Sequence, residues 1–267
     1  MAPTKIKYLT NKDLLAEIHK SKLSYCCFTD PKYSSYDFIV PNVKKITKKK
    51  INDARRKKHN ELRTLHRKQH GTSKKVKPPT LSSIPMDSIV IRVMTYDHIP
   101  MDPIKAETGK TEAEKHTKVN FPPFQHYKID SNNTFICVGK SHWTGGIKTG
   151  HFSKDHGRIT DKLAKMYIML CEKYAMKYNW RGYTYRDEMQ NSAILQLTYV
   201  GLRFNEAKSA NPFAYYTAAI TNSFCRVLNT EKRNQNIRDD ILEINGLDPS
   251  WSRQGLNTGV TPTIYEE

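Results

Sequence analysis

Apolar residues in the C-terminal half of the chain recur with a helical period. Met189, Ala193, Leu197, Val200 and Phe204 follow one another at steps of four, four, three and four. Phe213, Tyr216, Ile220, Phe224 and Val227 form a second stripe of the same period. Thr184, three residues before Asp187, is suited to cap the first helix, and Asn211-Pro212 to open the second. The pattern predicts two amphipathic helices joined by a short polar loop. Upstream, Leu163, Tyr167, Leu170, Cys171, Tyr174 and Tyr178 predict another helix, with Thr160 at its cap. Downstream, Ile237, Ile241 and Ile244 predict a short final helix stopped by Gly246 and Pro249. At the N-terminus, Thr10 and Asp13 cap a helix carrying Leu14, Leu15 and Ile18 and running to about Lys22. So short a helix needs something to pack on.

The period changes in the middle of the chain. Ser88 to Tyr96 predicts a strand, and Phe121 to Phe124 a proline-stiffened lead-in. Tyr127–Asp130 and Thr134–Val138 flank Ser131-Asn132-Asn133, a hairpin signal. Tyr25 to Pro41 is aromatic and turn-rich and predicts irregular structure. Ile51, Ala54, Leu62 and Leu65 keep rough helical spacing until Gly71, and a Lys/Pro/Ser linker runs from Thr72 to Pro85. The expected organisation is an N-terminal helix (1–23), a basic insert and linker (24–85), a small β-containing insert (86–157), a helical core (158–248) and a flexible tail (249–267). The fold class is mostly α, a helical bundle with a basic, partly β insertion.

Charge turns this outline toward a polyanionic partner. The 267 residues carry a formal charge of +18 and a pI near 9.6. Between Val43 and Lys77, 15 Lys or Arg stand against two acids. A basic helix bearing Lys48, Lys49, Lys50, Arg55, Arg56, Lys57 and Lys58 could contact nucleic-acid phosphates without reading sequence. It could equally be a disordered arm or a solvated face. In the second helix of the C-terminal pair, Tyr215, Asn222, Arg226, Asn229 and Arg233 line one side. An aromatic for stacking, amides for base edges and guanidiniums for phosphates suit nucleic-acid recognition, although an ordinary solvated face has the same composition.

Other chemistry is not signalled. Five cysteines form no C-x-x-C pair, which predicts a reduced cytoplasmic setting. The apolar run Ile89-Val90-Ile91 is stopped by Arg92, so no membrane segment is expected. His59, His66 and His70 lie among repelling cations, and His142, His151 and His156 near Cys137 fit no structural zinc spacing. Phosphate-loop, metalloprotease, nucleophile-elbow and paired-carboxylate patterns are absent, so neither a cofactor nor an enzymatic activity is expected.

The stretch EMQNSAILQLTYVGLRFNEAKSANPFAYYTAAITNSFCRVL, Glu188 to Leu228, resembles domain 2 of the sigma-70 family of transcription initiation factors. It is most similar to the short late-transcription sigma factors of T-even-type phages. Asn179-Trp180-Arg181-Gly182-Tyr183 resembles the turn before this block, and YLTNKDLLAEI resembles their first helix. The match covers roughly 100 residues. Residues 24 to about 155 have no counterpart in the T-even proteins, and that arrangement resembles the cyanophage version.

The resemblance implies roles. Asp187, Glu188, Gln190, Asn191 and Ser192 would dock on the clamp helices of the largest subunit of host core RNA polymerase. A carboxylate is usual in the family at Ser192's position. Tyr215 aligns with the aromatic that stacks on a flipped non-template base, and Tyr216 beside it would share the melting of promoter DNA. Asn222 and Arg226 align with positions reading the upstream edge of the −10 element. Ala218 and Ala219 stand where primary sigma factors carry two wedging tryptophans, so opening should depend on an A·T-rich sequence and a late coactivator. Ile264, Tyr265, Glu266 and Glu267 loosely resemble a peptide that binds the phage DNA sliding clamp. The alternative is a basic nucleic-acid-binding accessory protein without polymerase docking.

Overall fold

The computed structural model describes residues 9–70, 80–130 and 134–257. It combines helices, which hold most of the described residues in regular structure, with a five-stranded mixed sheet. Two compact units divide the chain, Met1–Met166 with Thr198–Tyr215, and Tyr167–Leu197 with Tyr216–Glu267.

The first unit is built on the sheet. Its strands are β1 (Cys26–Phe28), β2 (Phe38–Val40), β3 (Val90–Met94), β4 (Phe124–Ile129) and β5 (Phe135–Ser141), in the order β1-β5-β4-β3-β2. Only the β2–β3 pairing is parallel. A two-residue pair, β6 (Trp143–Thr144) with β7 (His151–Phe152), follows. Helices α1 (Asn11–Leu23), α2 (Lys48–His70) and α3 (Glu112–Lys115) belong to the same unit. The predicted hairpin is present as β4–β5, closed by the Asp130 N–H donating to Thr134 O at 2.9 Å; residues 131–133 lie outside the described residues.

Two expectations are corrected here. Tyr25–Pro41 is not irregular: it supplies both edge strands, whose partners are remote in sequence (Cys26 opposite Ser141, Phe38 beside Ile91). The break expected between 24–85 and 86–157 is also not a boundary. Ile51 and Ala54 of α2 are buried with Val40, Ile89, Ile91, Val93 and Ile129 in one core, so the basic segment and the strands fold together.

Strand alternation places Ile89, Ile91 and Val93 on the α2 side of β3, which sends Arg92 to the other face. There Arg92 is fully buried, its guanidinium 4.0 Å from the Tyr36 ring centre and 3.9 Å from that of Phe124. Its Nε donates to His126 Nε2 at 2.9 Å, and Glu206 Oε1 lies 4.0 Å from Nη1. Lys22, equally buried at the end of α1, donates to Phe204 O at 2.7 Å and to both Glu206 oxygens at 2.8 Å. Burial alone would raise the Glu206 carboxyl, but Lys22 and Arg92 hold it below the usual range. Burial pulls Lys22 downward, yet three acceptors around Nζ require three protons, so the ammonium is the form that fits. Helix α1 also meets Thr160 through Ser21 and Lys162 through Glu17.

The second unit is helical. It contains the larger parts of α4 (Asp161–Ala175), α5 (Arg186–Val200) and α6 (Pro212–Ile244), and all of α7 (Trp251–Asn257). Met189, Ala193 and Leu197 of α5 are buried, as are Tyr216, Ile220 and Phe224 of α6 and Tyr167 and Cys171 of α4. Phe224 meets Tyr174 and Trp180 edge-on at 5.2 Å each, and Tyr167 and Tyr216 share a 3.2 Å hydroxyl contact. Tyr178, predicted to extend the α4 stripe, is instead 86% exposed.

The predicted short final helix does not exist as a separate element. Its three isoleucines belong to α6, which runs unbroken for 33 residues, because nothing between Leu228 and Ile237 interrupts a helix. Gly246, at a φ of +70°, ends it: its own N–H reaches Glu243 O, and the Leu247 N–H reaches Leu242 O at 2.9 Å. The region expected to be a flexible tail supplies α7, which returns along α6. Asp239 accepts from the Ser250 N–H at 2.9 Å, and Arg253 pairs with Asp240 at 2.6 Å and Glu243 at 2.9 Å.

Glu206→Gln should cost about 3–5 kcal/mol of stability, because it strands two buried cations. Urea unfolding followed by circular dichroism measures this, and a loss under 1 kcal/mol, on the order of an exposed pair, would contradict the role assigned to Glu206. Acid should act on the same unit. Burial pushes His98 down to about 4 and His126 and His142 down to about 3, from an ordinary 6.5. The unfolded chain then binds more protons than the folded one between those values. Stability is therefore full above pH 6.5 and lost as pH falls toward 3–4, at up to about 1.4 kcal/mol per pH unit for each histidine. Denaturation midpoints that stay flat from pH 7 to pH 4.5 would refute this.

Candidate nucleic-acid interface

Helix α2 carries its charge in an ordered arrangement. Ile51 and Ala54 turn into the sheet, and two of the expected phosphate-binding residues turn with them. Arg55 donates to Ile84 O at 2.7 Å and Leu81 O at 3.2 Å, and Lys58 donates to Ser88 O at 2.6 Å and pairs with Asp37 at 3.6 Å. These two hold the helix to the protein and leave the candidate interface. The physical reason is periodicity: both lie within about 60° of the buried stripe at 100° per residue. Lys48, Lys49, Lys50, Arg56 and Lys57 remain exposed, with Arg56 near Asp53 at 3.7 Å.

The exposed face extends further than the residues singled out from the sequence. Lys49, Arg56, Arg63 and Arg67 are all exposed and follow at steps of seven, seven and four, one straight row opposite Ile51 and Ala54. From Lys49 to Arg67 the row spans about 27 Å at 1.5 Å per residue. Reading the buried stripe first and then taking the opposite side would have found it. Leu62 and Leu65, expected in the apolar stripe, are 40% and 52% exposed.

In the second unit, Asn222, Arg226, Asn229 and Arg233 of α6 are exposed along one face. Arg226 Nη2 donates to Ser192 Oγ at 3.3 Å, and that hydroxyl is 3.1 Å from Ser223 Oγ. Ser192 thus faces α6 and leaves the expected docking face. On the outer side of α5, Asp187, Glu188 and Asn191 are exposed, and Gln190 is half-buried. Leu195, one turn past Asn191 and 56% exposed, joins this face; its apolar character hid it from a search for polar contacts.

Tyr216 is fully exchanged from interface to core: it is 0% exposed and packed on Tyr167. Its position belongs to the apolar stripe, and the stripe prevails over adjacency to Tyr215. Tyr215, in the first unit, is half-buried; its hydroxyl donates to Val200 O at 2.9 Å and its ring meets Phe204 edge-on at 5.6 Å. Burial raises its phenol above the ordinary value.

Among the described residues no group of three His, Cys, Asp or Glu could hold a metal ion, and no helix is long and apolar enough to cross a membrane. Ile264, Tyr265, Glu266 and Glu267 lie outside the described residues. No family model matches the chain, and comparison with curated proteins and with solved structures finds no significant match.

Changing Lys49, Arg56, Arg63 and Arg67 together to Gln should weaken DNA binding for all sequences alike. Each lost phosphate contact lowers the slope of log affinity against log salt by about 0.9, so four lower it by about 3.6. Fluorescence anisotropy on A·T-rich and G·C-rich duplexes between low and moderate salt measures this. An unchanged slope would move the phosphate contacts off α2.

Proposed function

We propose that this chain is a sigma-like factor for phage late transcription, one that recruits host core RNA polymerase to late promoters and helps to melt an A·T-rich −10 element. The observation that carries the reading is the α5–α6 pair. One packed pair of helices offers an acidic and amide outer face on α5 and a row of amides and guanidiniums on α6. A protein that only coats DNA has no need of the first face. The similarity of Glu188–Leu228 to sigma-70 domain 2 supports the same division, with Asp187, Glu188 and Asn191 toward the polymerase clamp helices and Asn222, Arg226, Asn229 and Arg233 toward promoter DNA.

Tyr215 would supply the stacking surface alone, since Tyr216 is in the core. Its ring would present its outer side to a flipped base while the Val200 bond fixes its orientation. A late coactivator and the phage sliding clamp complete the proposed partners, in the infected host cytoplasm, and the reading requires neither catalysis nor a cofactor. The row on α2 favours a second reading, a basic nucleic-acid-binding accessory protein without polymerase docking.

Run-off transcription with purified host core polymerase on an A·T-rich late promoter separates the two. The sigma reading expects promoter-dependent transcripts only when the protein is present. It further expects Glu188→Lys to weaken polymerase binding while Tyr215→Ala impairs opening more than binding. DNA binding without transcripts, or with polymerase affinity unchanged by Glu188→Lys, would favour the accessory protein.

A further inference from the structure

A second cationic place lies in the first unit, apart from α2. The segment 117–123 is held at both ends by backbone bonds, from the Thr117 N–H to Pro100 O at 2.9 Å and from the Thr95 N–H to Pro123 O at 3.2 Å. Together with Tyr96, Ala113 and Arg203 it borders an open cavity of about 210 Å³. The wall is largely apolar and aromatic, with Tyr96, Val119, Phe121 and Pro122. Phe121 is buried against the His142 ring at 4.2 Å and the Tyr25 ring at 5.5 Å, and Tyr96 lies 5.2 Å from the His116 ring. Rings fixed in this way offer a preformed surface to a planar group.

Two cations line the same cavity, Lys118 and Arg203. Both are exposed, and neither makes an ion pair among the described residues. No carboxylate lines it. The acids close by in sequence are engaged elsewhere: Glu114 accepts from the Lys110 and Thr111 N–H groups at 2.9 and 3.3 Å, Glu112 pairs with Lys115 at 3.5 Å, and Glu206 holds Lys22. Asp97 is exposed, and its charge acts on His98 and Tyr127. Arg203 also connects the cavity to Tyr215. Leu202 and Phe204 on either side of it are buried, and Phe204 O accepts from Lys22, so the backbone beneath the guanidinium is fixed. The Phe204 ring in turn meets the Tyr215 ring. Burial raises the Tyr215 phenol and the Arg203 charge works against that rise, which sets the guanidinium near the ring.

We propose that this cavity is a nucleotide site, taking one base of a single strand against Tyr96 and Pro122 while Lys118 and Arg203 hold the flanking phosphates. An apolar slot adds nothing to the binding of a simple inorganic anion, and a purely apolar ligand would leave both cations unmatched; a base joined to phosphate satisfies both. A free mononucleotide has the same chemistry. Tyr215, a second ring near Arg203, favours a strand of several nucleotides. Only the path of that strand rests on the stacking role proposed for Tyr215, and neither polymerase nor a promoter is required. The site gives the β-containing part of the chain a DNA contact of its own.

Binding of the full chain to a thymidine strand of about 12 nucleotides, and to the same backbone without bases, is measured by fluorescence anisotropy across a salt series. Lys118→Gln/Arg203→Gln removes two phosphate contacts and should lower the slope of log affinity against log salt by about 1.4, at about 0.7 per contact on a single strand. Lys118→Arg/Arg203→Lys should keep the parent slope. Ala113→Trp fills the cavity from an exposed position on α3. It should weaken the thymidine strand about fivefold or more, leaving the slope and the baseless strand unchanged. All three positions are exposed, so circular dichroism of each variant should match the parent. An unchanged slope in the double Gln variant, or an equal loss on both strands from Ala113→Trp, would overturn the proposal. Thymidine monophosphate that binds as tightly as the strand would overturn the strand in favour of a free nucleotide. Tyr215→Ala keeps the two readings apart. If it spares strand binding while the cavity variants impair it, the stacking role of Tyr215 fails and this site stands. If it impairs binding while the cavity variants change nothing, this site fails and Tyr215 stands.

Discussion

One buried carboxylate organises the first unit. Glu206 lies between two cations that reach it from elements remote in sequence, Lys22 from α1 and Arg92 from the middle of the sheet. Neither cation could be buried without it, since an isolated charge costs several kcal/mol to remove from water. Aromatic faces and carbonyls complete the shells: Tyr36 and Phe124 sandwich Arg92, and Phe204 O takes a third proton of Lys22. Two cations against one anion leave an excess positive charge. This excess adds to burial in keeping His126 neutral, with Nδ1 directed to Tyr33 O and Nε2 accepting from Arg92. The network therefore fixes a protonation pattern as well as a packing arrangement.

Its structural consequence lies a few residues downstream. Glu206 precedes the Asn211-Pro212 start of α6, where Asn211 caps the Ala214 N–H at 3.2 Å and Asn11 of α1 accepts from the Phe213 N–H at 3.2 Å. The first turn of α6 is thus anchored to the same α1 that delivers Lys22. Tyr215 belongs to this anchored turn, and its bond to Val200 O extends the anchoring to the side chain proposed to stack on DNA. A stacking residue fixed before the base arrives loses less entropy on binding than a mobile one.

Helical periods were legible in the sequence wherever one side chain type dominated a face. α1 and the start of α6 follow their predicted patterns because local capping and apolar spacing agree. Of the stripe expected from Met189 to Phe204, Met189, Ala193 and Leu197 are buried on α5, but the helix ends at Val200 and Phe204 lies beyond it. What escaped was set by distant partners. β1 and β2 have three residues each and gain definition only from strands about 50 to 115 positions away. The apolar contact of α2 with the sheet rests on Ile51 and Ala54, a stripe too thin to distinguish from a disordered arm. At the candidate interface, charge was legible but its assignment was not: Arg55 and Lys58 look like their neighbours until the carbonyls of Ile84, Leu81 and Ser88 are placed. Tyr216 was lost to the core for the converse reason, since a tyrosine at a stripe position can bury its ring and still satisfy its hydroxyl on Tyr167.

Ser192 shows how such a reassignment can alter a functional argument. The sigma-70 resemblance leads one to expect a carboxylate there, on a face proposed to dock on polymerase. In this chain the position faces α6, with its hydroxyl between Arg226 and Ser223. A carboxylate in that place would form an ion pair with Arg226 and draw the guanidinium back from solvent. A hydroxyl accepts one hydrogen bond, which orients Arg226 while its full charge and remaining donors stay available. Serine therefore trades nothing on the outer face of α5, where Glu188 and Asn191 stand, and strengthens the cationic character of the α6 face. A fully charged arginine beside the exposed amides of Asn222 and Asn229 leaves this face of α6 suited to an anionic partner.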